Sequence, residues 1–114
     1  MQNLTIPYDK KVKVIVPKNA QSMFDMNNVS ISADSPIPNS GRVVLFLQSI
    51  FDEGKFGNEI AICPLTIGKN ESVKVDYQFM PGNQFILSTK GDKINVTVVG
   101  FMESLETVIT EIIA

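Results

Sequence analysis

From Glu71 to Phe101 apolar and polar residues alternate with a period of two. Val73, Val75, Tyr77 and Phe79 are interleaved with Lys74, Asp76 and Gln78, and Ile94, Val96 and Val98 with Asn95 and Thr97. Successive side chains of a strand point to opposite faces. The spacing therefore predicts half-buried antiparallel strands over 71–79, 84–90 and 93–101. The breaks at Met80-Pro81-Gly82-Asn83 and Gly91-Asp92 read as short turns joining them, with Gly91-Asp92 a hairpin turn.

The rest of the chain yields four more strands. Lys11–Val16 places Val12, Val14 and Val16 on one face, and lysines on the other suit a sheet edge. Asn28–Ala33 turns Val29, Ile31 and Ala33 inward, while Met23–Met26 is a short bridge or the start of that strand. Arg42–Phe51 is nearly continuous in apolar residues, as a central strand with both faces covered would be: one face the core, the other a candidate subunit contact. Glu59–Ile67 carries Pro64, which places it at an edge or bulge. The intervening stretches 34–41, 52–58 and 68–70 are rich in turn residues, and Pro7 and Asp9 mark residues 1–10 as an N-terminal arm. Seven short strands with regular turn signals make an all-β antiparallel sandwich, jelly-roll-like, over residues 11–101.

Beyond Phe101 the character changes. Residues 102–114 form an apolar C-terminal extension with three glutamates and no basic residue. Its apolar positions fit helical spacing, while its β-branched residues favour a strand. A greasy terminus either packs on its own sandwich or docks on a neighbouring chain. In the second case Leu105, Val108, Ile109, Ile112 and Ile113 are the partner-binding residues.

Composition narrows the chemistry. With 114 residues the chain is one domain, large enough for one core without staples. It contains no histidine, which removes the commonest general base and metal ligand. The single cysteine, Cys63, lies among Ile60, Ile62, Pro64 and Leu65 and reads as a buried small hydrophobe rather than part of a disulfide or metal set. No nucleophile triad, phosphate loop or metal-ligand spacing is present, so no catalytic residue, cofactor, metal or small-molecule substrate is expected. A net charge of −2 gives no electrostatic footprint for nucleic acid. The start of the chain lacks a secretory pattern, and no apolar run is long enough to span a bilayer. Lys90-Gly91-Asp92 and the four Asn-x-Ser/Thr triplets at Asn3, Asn28, Asn70 and Asn95 read as turn and strand chemistry rather than adhesion or glycosylation sites.

Val16-Pro17, Glu71-Ser72, Pro81-Gly82, Phe85-Ile86-Leu87, Asn95-Val96-Thr97-Val98, Gly100 and Glu103 together resemble the strand-and-turn pattern of small structural proteins of tailed-bacteriophage virions. That resemblance implies a non-enzymatic virion protein assembled in host cytoplasm, a capsid decoration or vertex protein or a neck, tail or fibre adaptor. Its partners would be copies of itself and other virion proteins. A second resemblance rests on Phe85–Gly91 followed by Ile94, Val96, Val98, Gly100 and Phe101. These residues are similar to the nucleoplasmin-like domain, a pentameric jelly roll that chaperones histones. That family usually carries acidic tracts, and this chain has none, so the virion reading is the leading expectation.

Overall fold

The computed structural model describes residues 1–32, 39–104 and 106–113. Nine strands run through them: β1 (Gln2–Ile6), β2 (Val12–Ile15), β3 (Phe24–Ile31), β4 (Arg42–Ile50), β5 (Phe56–Thr66), β6 (Ser72–Phe79), β7 (Gln84–Gly91), β8 (Val96–Phe101) and β9 (Ile109–Ile112), with one 3-10 turn at Asp52–Gly54. They form two antiparallel sheets, one of four strands in the order β1-β8-β3-β6 and one of five in the order β5-β4-β7-β2-β9. The expected all-β antiparallel sandwich is the observed fold.

The alternation that predicts the strands also explains the core. Val12 and Val14 of β2, Val43, Leu45 and Leu47 of β4, and Phe85 and Leu87 of β7 face the other sheet. There they meet Leu4 and Ile6, Phe24, Met26 and Val29, and Val96 and Val98. Each fully buried side chain of this kind contributes about 1.5–3 kcal/mol before ordering costs. Phe79 stacks on Phe85 across the two sheets with ring centroids 3.9 Å apart. Cys63 is buried as expected, and its burial pushes the thiol pKa up.

Several sequence expectations need correction. The arm at residues 1–10 contains β1, which pairs with β8 from Gln2↔Gly100 to Ile6↔Val96, so Pro7 ends a strand rather than preventing one. Of the two readings of Met23–Met26, the start of the strand is the one observed: β3 begins at Phe24, and a bulge between Met26 and Asn28 resets the alternation. Neither turn in the Glu71–Phe101 block is a hairpin, since β6 and β8 lie in one sheet and β7 in the other. At the first turn, Gly82 N–H donates to Val16 O and Val16 N–H to Asn83 O, both at 2.9 Å, which ties the crossing to the end of β2. At the second, Asp92 N–H donates to Arg42 O at 2.9 Å and Asp92 Oδ2 accepts from Arg42 N–H at 2.8 Å. β7 is thereby held to β4 while the chain leaves for the other sheet.

β4 is central, between β5 and β7, and β5 with Pro64 is an edge, both as expected. β2 is not an edge, because β9 covers its outer side. Within the C-terminal extension, Ile109–Ile112 is therefore a strand. The expected inward position of Ala33 and most of the 34–41 loop fall outside the described residues.

Candidate assembly surface

Pairing register decides which outward side chains lie beside one another. On the outer face of the five-stranded sheet, Phe56 of β5 is opposite Ile50 of β4, Ile50 is opposite Gln84 of β7, Gln84 is opposite Ile15 of β2, and Ile15 is opposite Ile109 of β9. One row thus crosses all five strands, and four of its five members are apolar. Its ends are the most exposed: Phe56 is 62% and Ile109 51% accessible. The next row, two residues along β4, β7, β2 and β9 and three along β5, where the register shifts, reads Glu59, Gln48, Ile86, Lys13, Glu111. Beyond it lie Ala61, Phe46 and Ser88, then Lys11, whose carbonyl accepts from Ile113 N–H at 2.9 Å.

The other sheet presents a different outer face. Thr5, Thr97, Ser30 and Ser72 form one register row across its four strands, and Asn3, Val99, Asn28 and Lys74 the next. A hydroxyl row is content in water, whereas a row of Phe and Ile is not. The two faces of the sandwich are therefore chemically distinct.

One lysine on the apolar face has an acidic partner. Lys90 Nζ sits 3.1 Å from Glu59 Oε1 and 4.5 Å from the centroid of the Phe46 ring. The hydrogen bond from Lys90 holds the Glu59 carboxyl below its usual pKa, aided by the charges of Lys90 and Lys11 against some desolvation.

The sequence-predicted partner residues separate on folding. Val108 is buried in the chain's own core and is no surface contact. Ile109 and Ile113 lie on the outer face, while Ile112 is on the opposite side of β9, opposite Val12, at 63% exposure. Leu105 lies outside the described residues. The extension's approach to β2 is clamped by polar contacts. The Gln2 side-chain amide donates to Glu106 O and accepts from Val108 N–H, both at 2.9 Å. Glu106 Oε1 accepts from Gln21 N–H at 2.9 Å, which with Ser104 lowers the Glu106 pKa. Ile50 and Ile15, by contrast, were visible in the sequence only as apolar residues of two separate strands, and Phe56 as part of the turn-rich stretch 52–58, whereas β5 already begins at Phe56. Nothing local in the chain signals that they share a row.

No group of three or more metal-ligating side chains occurs among the described residues. No helix among them is long and apolar enough to cross a membrane. The Lys90-Gly91-Asp92 triplet is spent on structure: Lys90 on Glu59, Asp92 on the Arg42 backbone. Asn28, Asn70 and Asn95 bond to Ser72, Pro64 O and Tyr8 N–H respectively.

No curated protein matches the sequence. Among solved structures the fold is similar to the Drosophila NLP-core, with a TM-score of 0.61 and 16% sequence identity over 87% of this chain and 93% of that one. The crystal structure of that protein was described as giving insight into pentamer formation and histone binding. The sequence model of the nucleoplasmin-like domain matches residues 3–103. This match overturns the leading expectation of a bacteriophage virion structural protein, and with it capsid decoration, tail adaptor, virion partners and virion localisation. The residues behind that expectation, such as Val16-Pro17 and Pro81-Gly82, end strands and turn corners. They specify a sandwich and carry nothing about where it works. The lack of an acidic tract was the wrong discriminator, because the domain model matches residues 3–103 without one, and this chain belongs to the nucleoplasmin-like domain family.

Proposed function

We propose that this chain is a non-enzymatic histone-binding domain that works as a ring of identical copies, five by analogy with the Drosophila relative. The observation that carries the reading is the nucleoplasmin-like match over residues 3–103. The apolar row from Phe56 to Ile109 supports it. An exposed stripe of that kind on one sheet face suits contact between copies, and the hydroxyl-rich face of the other sheet suits solvent.

Binding to basic histones follows from charge in this reading. Each copy carries a net charge of −2, so a ring multiplies a weak individual charge into a field that attracts cationic partners. No single acidic run is required. Dispersed carboxylates such as Asp52, Glu53 and Asp76 face water and act together once the copies are joined. Association of this kind is strongest at low salt, where the Debye length is long.

Sedimentation equilibrium of the purified chain tests the assembly. Five chains of 12.6 kDa give about 63 kDa, and that mass is expected at micromolar concentration. A monomer mass at every concentration would reject the ring.

A further inference from the structure

The family match ends at residue 103, and β9 lies beyond it. A strand beyond the matched residues asks for an explanation in this chain's own terms. We propose that β9 is part of the contact between copies, with Ile109 and Ile113 extending the apolar face of the five-stranded sheet onto a second copy of this chain. The proposal rests on the self-association reading above and adds an element to it.

Three observations carry it. First, β9 continues a face rather than capping it. Ile109 falls in register with Ile15, at the end of the row that begins at Phe56, and Ile113 is four residues further along the same side. A strand whose only role was to shield the β2 edge would place polar residues outward. Here the outward positions are Ile109, Glu111 and Ile113, with Glu111 opposite Lys13. Second, the strand is held in place. The Gln2 and Gln21 contacts to residues 106 and 108 fix where it lands, so the two isoleucines are presented on a defined surface.

Third, charge and size choose the occupant. The charged residues on the rows are Glu59, Lys11, Lys13 and Glu111, with Lys90 bound to Glu59. Three lysines against two glutamates repel a basic histone surface, but the mixture of signs accommodates another copy. Five strands at a spacing of about 4.8 Å span roughly 19 Å, and nine residues of β4 extend about 30 Å. The resulting face of about 570 Å² approaches the roughly 800 Å² per partner of a stable interface, and without β9 it is one strand narrower.

The test compares full-length variants by sedimentation equilibrium over a dilution series, with far-UV circular dichroism as the check on folding. Ile109→Glu and, as a second variant, Ile113→Glu each place a charge in the proposed contact. Thr110→Glu places one on the opposite side of the same strand. The expected result is that the two isoleucine variants dissociate at concentrations at least about tenfold higher than wild type, while Thr110→Glu follows wild type. If both isoleucine variants assemble as wild type does, β9 is outside the contact and the proposal is wrong, although the ring stands. If the wild-type chain is itself monomeric throughout, the ring reading falls and takes the proposal with it.

Discussion

The contact between Lys90, Glu59 and Phe46 shows how a single side chain joins two kinds of attraction. Lys90 holds the Glu59 carboxylate at 3.1 Å and covers the Phe46 ring at 4.5 Å. Its side chain is 60% exposed, so the ion pair contributes no more than about 0.5 kcal/mol. The sign of its pH dependence is fixed. Glu59 has a folded pKa below its unfolded value, chiefly through the Lys90 hydrogen bond, so its stabilisation is present above about pH 4.3 and is lost as the pH falls through the lowered folded value. Lys90→Met removes this component but also the contact with Phe46, which does not titrate. Urea midpoints of wild type and Lys90→Met are therefore expected to differ more at pH 7 than at pH 3. An equal gap at both would mean that the pair contributes nothing. At this scale the sequence was informative where burial alone decides, as for Cys63 among its apolar neighbours. It was silent on Lys90, whose partners come from β4 and β5, separated from it along the chain.

Among the elements, strands β2 to β8 were legible and their partnership was not. The period of two in β2, β6 and β8 is local, because each residue's side follows from its neighbour's. Whether two consecutive strands pair or lie in opposite sheets depends on the corner between them, and alternation looks the same in both cases. The corner after β7 shows what decides. Gly91 has φ +126°, and a Cβ there would lie 2.5 Å from the Arg42 carbonyl oxygen. Backbone approaches backbone so closely that only glycine fits, and Asp92 then ties the corner to β4. Gly91→Ala should cost at least about 2 kcal/mol. It should lower the urea midpoint more than Gly68→Ala, where φ is +82° but the added Cβ meets nothing within 4 Å. Equal losses would show that close approach plays no part. β1 was missed for a related reason: five residues ending at Pro7 carry too short a pattern, and pairing with β8 supplies what propensity does not. The extension's ambiguity between helix and strand was likewise resolved by a partner, the open edge of β2.

For the whole molecule, the sequence contained the architecture and withheld the assembly. Ile109 and Ile113 stood out as apolar residues near a chain end, but Val108 beside them belongs to the core. Only lateral register joined the first two to Ile15, Ile50 and Phe56 across strands distant in sequence. The same limit explains the misplaced functional expectation. Strand and turn residues describe a sandwich, and sandwiches serve many ends. The central claim is that identical copies join through the face of one sheet and, once joined, attract histones by summed charge. Native mass spectrometry of the chain titrated with purified core histones, at low and at high salt, tests it most directly. The account predicts a five-chain species that takes up histones at low salt and releases them as salt rises. A single-chain species that ignores histones at every salt concentration would contradict it.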